Sequence, residues 1–359
     1  MKKLLKMNKK TYLLSSIAIF TILIFILFSR LNRDMFLTEP KLGSYRSDEM
    51  IFLKTFYLME ENENYYKAFK TANEGDMRGK KMTNDVFTWR LPSVFYFWKF
   101  TAESGKQILA NFWILVFLSL ISSYFLLRKF LNPWLALAGP ILLLPYFADA
   151  FVYKTSFLFT EWWAWFFGLF GLTFFVYQKK LPAWIFLLLA VFTRELMMMP
   201  IISFLLISLL FKKNRIFFLS IIFCFFVLLF FHQKTVYEVL ELSGGNNFSN
   251  LAFGRIHNFN KPVFFKMISF SLRQFPLVKY KSHLLIFAAA FFSLILNLYK
   301  NYKIKNIAIY YFLIYGWSLA VILPFISSSQ YNDYWGILFM PTLILTIPLI
   351  FKKNENQIT

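Results

Sequence analysis

Among 359 residues there is one cysteine, Cys224, and it sits inside an apolar run, so no intramolecular disulfide can form and no thiolate metal site is expected. Glycine is scarce, at 12 residues against 49 phenylalanines, so bulky helices rather than close small-residue contacts are expected to dominate the packing. The three histidines, His232, His257 and His283, lack metal-ligand spacing. No glycine-rich nucleotide-binding loop occurs, which argues against an enzyme or pump driven by cytosolic nucleotide. Acids are also few: 18 Asp and Glu stand against 39 Lys and Arg, for a formal charge of +21.

What is abundant is apolar. Hydrophobic residues make up 58% of the chain and the mean hydropathy is +0.54, whereas soluble domains hold about 45–50% apolar residues. The chain is therefore expected to be an integral membrane protein, all-α and polytopic. In a soluble protein the charge would suggest nucleic acid. Here the basic residues fall in short clusters flanking apolar runs: Lys2, Lys3, Lys6, Lys9 and Lys10; Arg128 and Lys129; Lys179 and Lys180; Lys212, Lys213 and Arg215; Lys300, Lys303 and Lys305; Lys352 and Lys353. The positive-inside rule puts these clusters on the cytoplasmic side, so the basic excess is topological and no nucleic-acid partner is expected.

Runs 12–28, 108–127, 133–147, 156–177, 216–231, 284–298, 307–326 and 337–350 read as single spans. Run 181–211 carries basic clusters at both ends and is interrupted by Arg194-Glu195 and Pro200, so it reads as two shortened helices turning near residues 193–200. The expected architecture is a single transmembrane domain over 1–359 with about ten spans and both termini cytoplasmic. It has a long first external loop at 30–106 carrying interfacial helices, a second at 232–282 with a turn at Gly244-Gly245-Asn246-Asn247, and no separate soluble domain. Of the 18 acids, only Glu355 then falls inside. The rule concerns Lys and Arg, so this asymmetry independently marks the outer face as the place where acidic groups are used.

Four acidic or aromatic stretches converge on that face. Ser47-Asp48-Glu49-Met50 places a capping serine before two adjacent carboxylates, a pattern that suits proton chemistry and equally suits a plain helix start. Glu161, in Phe159-Thr160-Glu161-Trp162-Trp163, is an ionisable group at membrane depth, one to two turns below the outer end of its span. Arg194 and Glu195 form the tip of the interrupted hairpin, where a salt bridge is the plain alternative to a functional role. Tyr334 lies in Tyr331-Asn332-Asp333-Tyr334-Trp335, which also reads as an interfacial aromatic belt. Arg90, in Trp89-Arg90-Leu91-Pro92 ahead of the amphipathic stretch 93–100, suits a phosphate clamp or an interfacial anchor.

Carboxylates and arginines at an outer membrane interface fit one chemistry well. A lipid-linked phosphate enters from the bilayer with its charge met by Arg194 or Arg90, while a carboxylate deprotonates an acceptor hydroxyl attacking the sugar carbon. No nucleotide is needed, because the polyprenyl phosphate is itself the leaving group.

Asp-Glu in the first loop, Arg-x-Pro before the second span, Thr-Glu in the fourth and Thr-Arg-Glu between two short spans together resemble the GT-C superfamily. These are polytopic glycosyltransferases, such as the protein mannosyltransferases and aminoarabinose transferases, that use polyprenyl-phosphate sugars. The Tyr334-Trp335 to Pro341 stretch is similar to the start of a later span in that superfamily, and the resemblance covers 1–211 well and the remainder loosely. It implies a GT-C-like helical bundle in the cell envelope, working in glycan biosynthesis at the bacterial inner (plasma) membrane with its active site on the outer face. It implies Asp48 as catalytic base, or at the donor phosphate, with Glu49 its neighbour. Arg194, Glu161, Glu195, Arg90 and Tyr334 are the expected donor-phosphate and substrate-binding residues, with a lipid or glycan as acceptor. It fixes no cofactor, and it leaves open a divalent metal between Asp48 and Glu161. The chain lacks the soluble external domain that many members carry after the last span, which weighs against a protein or peptide acceptor. The competing readings are a lipid-linked glycan transporter or flippase, and a polymerase or ligase working through Arg255 and Arg273 of the second external loop.

Overall fold

The computed structural model describes residues 48–74, 89–152, 155–240, 260–272, 282–301, 306–326 and 333–352. The expected first span at 12–28, Ser47, the Gly244–Asn247 turn, Arg255, Arg273 and Tyr331-Asn332 lie outside the described residues. Every regular element among the described residues is helical.

The first loop supplies three helices, α1 (Asp48–Glu60), α2 (Tyr65–Glu74) and α3 (Ser93–Thr101). Asp48 and Glu49 occupy the first turn of α1, where acids complement the helix dipole. The α1–α2 turn reverses at Asn62, whose φ of 69° an asparagine tolerates. The Asn64 side chain then accepts from the Lys67 amide at 2.9 Å and starts α2.

Helix α4 (Gly105–Arg128) is capped by Ser104, whose side chain accepts from the Gln107 amide, and it ends in the expected basic pair. Next come α5 (Pro133–Ala136), α6 (Ala138–Val152), α7 (Thr160–Val176), α8 (Lys180–Thr193), α9 (Met198–Leu210) and α10 (Arg215–Val239). The remaining helices are α11 (Lys261–Ser271), α12 (Ser282–Asn301), α13 (Ile307–Ile326) and α14 (Met340–Thr346).

Four of these, α4, α10, α12 and α13, are long and apolar enough to cross a membrane. Helices α10 and α12 turn large apolar side chains outward, among them Ile216, Phe223, Phe230, Leu285, Phe292 and Tyr299. Such faces suit lipid far better than water. Other expected spans are shorter: at about 1.5 Å per residue, α8 reaches only about 21 Å. The last expected span, 337–350, is no regular helix: a 3-10 turn over Asp333–Leu338 leads into α14 and a second 3-10 turn over Ile347–Phe351. Pro341 and Pro348 lie at the starts of the last two elements, where proline's missing N–H does least harm and where it stops any preceding helix from running through.

At the centre is α7, every residue of which is buried except Phe174. A helix that is apolar all round belongs inside a bundle, and α7 packs on α8, α4 and α13. Glycine is rare in this chain but decisive at Gly168, where a Cβ would lie 1.7 Å from the Tyr315 hydroxyl of α13. Close helix approach therefore does occur despite the bulky composition, and again at Gly171, where a Cβ would lie 2.8 Å from the Leu187 backbone nitrogen of α8.

Run 181–211 divides as its sequence requires. Arg194 is extended (φ −147°, ψ 116°) between α8 and a 3-10 turn over Glu195–Met197 that leads into α9. Its amide still donates to the Ala190 carbonyl at 3.0 Å, and its carbonyl accepts from the Met197 amide at 2.9 Å, so the break leaves neither backbone group unpaired. Helix α10 continues beyond the expected exit at residue 231, carrying His232 inside the helix rather than in a loop.

Candidate functional site

Five separate segments deliver polar groups to one buried cluster: the start of α1, the strap Trp89–Leu91 before α3, the start of α7, the α8–α9 break and the 3-10 turn Asp333–Leu338.

The strap is fixed first. The Tyr65 hydroxyl donates to the Arg90 carbonyl, and Trp89 packs against Tyr66 and Phe69 with ring centroids 6.3 and 5.5 Å apart. Beyond it, the Ser93 hydroxyl donates to the Phe192 carbonyl at the end of α8. The strap and the Arg194 break are thereby tied together. Tyr65 is fully enclosed, and burial, reinforced by Tyr66 and opposed by Arg90, raises its phenol pKa well above the ordinary value.

Helix α7 begins at Thr160, after an extended Phe159 that ends a short 3-10 turn. Glu161 therefore lies in the first turn of α7, nearer the helix end than the expected one to two turns of depth. An acid there is favoured by the helix dipole. Its Oε1 is 2.7 Å from Arg194 Nε, and both side chains are essentially inaccessible. That contact is an ion pair by distance, without the alignment a hydrogen bond requires. The second guanidinium arm meets its neighbour, with Arg194 Nη1 donating to Glu195 Oε1 at 2.5 Å. The same guanidinium sits over the Trp335 ring, 5.6 Å from its centroid. One arginine thus holds two carboxylates and an indole.

A second arginine acts on the opposite pair. Arg90 Nη2 donates to the Tyr334 hydroxyl at 2.8 Å, and the Arg90 guanidinium lies 5.7 Å from the Phe52 ring centroid. The Tyr334 hydroxyl in turn reaches Asp48 Oδ2 at 3.5 Å. Its ring is stacked on Phe159, with centroids 4.8 Å apart and planes 7° from parallel. Burial disfavours charge on Arg90, but Tyr334, Glu161, Glu195 and Asp48 together outweigh burial and hold its pKa above the ordinary value. Tyr334 is raised too, by burial first, against the opposing pull of Arg90 and Arg194, so its phenol keeps its proton at neutral pH.

Asp48, Arg90, Glu161, Arg194, Glu195 and Tyr334, selected from sequence, meet in this cluster. Glu49 is half-buried beside Asp48 in the same turn, and the tyrosine contact runs to Asp48. Trp335, Phe159 and the strap-fixing Tyr65 have no charge to mark them; only Trp335's adjacency to Tyr334 hinted at a part. His232, assigned no role in sequence, is buried and shares a 3.0 Å contact with the Tyr66 hydroxyl through Nδ1.

Arg90, Glu161 and Arg194 are buried, with Asp48 and Glu195 half-buried beside them; such a set is costly to bury and contributes little net stability. Apart from Arg194 Nε and Glu161 Oε1, which face each other as an ion pair, several of its polar atoms have no hydrogen-bond partner among the described residues: Arg90 Nε, Arg194 Nη2, Trp335 Nε1 and Glu195 Oε2. Unpaired buried polar atoms also occur elsewhere among the described residues, at Trp98, Trp162 and Trp317 for example; what sets this cluster apart is that two of its spare donors belong to guanidinium groups. Donors of this kind suit an anionic oxygen, with an acceptor left for a hydroxyl. Among the described residues no group of three His, Cys, Asp or Glu side chains is arranged to hold a metal ion, and the carboxylate of Glu161 is engaged by Arg194. Comparison with protein-family models, with curated proteins and with solved structures finds no match to this chain.

Proposed function

We propose that the protein is a membrane glycosyltransferase that moves a sugar from a polyprenyl-phosphate carrier to a lipid or glycan acceptor on the extracytoplasmic face. The observation that carries the reading is the joining of Asp48, reached through Tyr334 and Arg90, to a cluster in which two buried guanidinium groups keep N–H donors to spare. The Arg90 and Arg194 guanidinium groups meet the phosphate oxygens. Asp48 takes the acceptor hydroxyl proton as that oxygen bonds to the anomeric carbon. The bond from that carbon to the phosphate oxygen breaks, and the polyprenyl phosphate leaves with the electron pair and its charge on the arginines. The spare carboxylate oxygen of Glu195 accepts a substrate hydroxyl. A bundle of about ten spans, with the first loop and the α8–α9 break on the outer face, brings these groups to the leaflet where the carrier's headgroup lies.

The test is transfer from a polyprenyl-phosphate sugar by the full chain in reconstituted membranes. The wild type should form the glycosidic bond, and Asp48→Asn should lower turnover by about 100-fold or more. Full activity in that variant removes Asp48 from the base role. A second reading, transport of an intact lipid-linked glycan, draws on the interrupted helix at Arg194, since broken helices line many transport paths. Movement of the glycan across the bilayer without bond formation would select it.

A further inference from the structure

His232 is a buried, titratable side chain that no step of the proposed transfer uses. It lies near the end of α10, a helix long and apolar enough to cross a membrane, and is 1% exposed. Its Nδ1 is 3.0 Å from the Tyr66 hydroxyl of α2, and the two ring centroids are 5.4 Å apart. A second contact joins the same helices: Lys70 Nζ of α2 donates to the Val239 carbonyl at 3.3 Å, at the C-terminal end of α10, which favours a cation. The Trp89 backbone and the Glu195 carboxylate both lie near enough to act on the imidazole, whose Nε2 has no aligned hydrogen-bond partner among the described residues. His232 therefore stands between the two carriers of the site's arginines.

Each carrier is tied to one side of that contact. Helix α10 packs on α8 and α9, the hairpin that breaks at Arg194. Helix α2 holds the strap, with Tyr65 donating to the Arg90 carbonyl and Trp89 enclosed against Tyr66 and Phe69. A guanidinium group grips phosphate in a forked geometry that depends on its plane and placing, and a misplacement of about 1 Å introduced far from the chemistry can cost about 100-fold in rate. We infer that His232 is a positioning residue: through Tyr66 it seats α2 and the Trp89-Arg90 strap against the Arg194 hairpin, and so fixes the spacing of the two guanidinium groups that meet the donor phosphate. The use for phosphate rests on the glycosyltransferase reading, while the seating of the strap stands apart from it.

The experiment compares His232→Phe, Tyr66→Phe and the double variant with the wild type, as full chains in reconstituted membranes. Both changes keep a ring and remove its polar atom. The seating is read first, by phenylglyoxal labelling of Arg90 with peptide mass spectrometry, which needs no substrate. Arg90 is 9% exposed in the wild type; either single change should speed its labelling about fivefold, the worth of one lost hydrogen bond. The double variant should be no worse than the more affected single one, because removing both partners strands neither. Transfer from a polyprenyl-phosphate sugar is then followed, and donor KM should rise about fivefold in the single variants while kcat changes less. A merely structural histidine would lower the amount of folded protein and leave the labelling and KM of the folded fraction unmoved. Should His232→Phe not fold, Tyr66→Phe carries the same test. Labelling no faster than in the wild type, or effects that add in the double variant, overturns the inference whatever the reaction. Faster labelling with unchanged KM in an active enzyme overturns the positioning role. Faster labelling in a protein whose wild type transfers no sugar upholds the seating and overturns the glycosyltransferase reading instead.

Discussion

Removing Arg194 alone should cost far more stability than removing it together with Glu161. Glu161 Oε1 lies 2.7 Å from Arg194 Nε with neither side chain reachable by water, so Arg194→Met strands a carboxylate in a dry site. Breaking a buried pair from one side costs about 3–5 kcal/mol, because the remaining charge must stay unpaired or take up a proton. Arg194→Met also releases Glu195, but that side chain keeps 14% of its surface exposed and can turn toward solvent, so it adds less. The double variant Arg194→Met/Glu161→Leu replaces the pair with apolar groups of similar bulk and should recover most of the loss, which appears as a coupling energy of about 2 kcal/mol or more. The measurement is equilibrium unfolding in mixed micelles of the wild type, both single variants and the double variant. Glycosyl transfer should stay absent in the double variant although its stability returns, separating the pair's structural cost from its use. If Arg194→Met costs less than about 1 kcal/mol and the two changes simply add, the pair is neither dry nor coupled, and the physical basis of the site collapses.

Other consequences are quicker to check. Gly168→Ala places a methyl group 1.7 Å from the Tyr315 hydroxyl on a fully buried ring, and should lower the unfolding free energy by about 1–3 kcal/mol through overpacking; an unchanged unfolding midpoint would show that α7 and α13 are not in close contact. Burial, aided by Tyr96 and opposed by Thr235, pushes the Tyr66 phenol up to about 12, while the unfolded chain has the ordinary value of 10.0. Between those two values the folded state keeps a proton that the unfolded state has lost, so stability present below pH 10 should decline as pH rises toward 12. Tyr66→Phe should blunt that alkaline loss, read by unfolding at a series of pH values. A reporter fused after Lys80 should be accessible from outside and one after Lys213 from the cytoplasm; the reverse labelling would dismantle the assignment of faces.

The membrane character and the positions of most helices were legible before any coordinates. Apolar runs flanked by Lys and Arg can hardly be anything but helices in lipid, because a buried backbone must satisfy itself. The interruption at Arg194 was legible for a related reason: two charged residues followed by a proline cannot sit in the middle of a lipid-facing helix. Less legible was the form of the last apolar run, where Pro341 and Pro348 divide 337–350 into 3-10 and α pieces although its hydropathy is that of a span. The extended Phe159 was equally hidden, and with it the placing of Glu161 in a first helical turn.

By itself the sequence determined which side chains were expensive enough to need a reason: Glu161, Arg194 and Glu195 are charges inside apolar runs, whereas Asp48 and Arg90 lie in the polar first loop and stood out only through the order of the motifs around them. Tertiary structure decided who meets whom. Arg194 pairs with Glu161 from another helix as well as with its neighbour, and Tyr334 lies between Arg90 and Asp48, a residue 286 positions away. Hydropathy and charge order act along the chain and can be read from it. The direction of a donor, the spacing of two charges and the stacking of Tyr334 on Phe159 depend on how five segments pack together, and no local pattern encodes them.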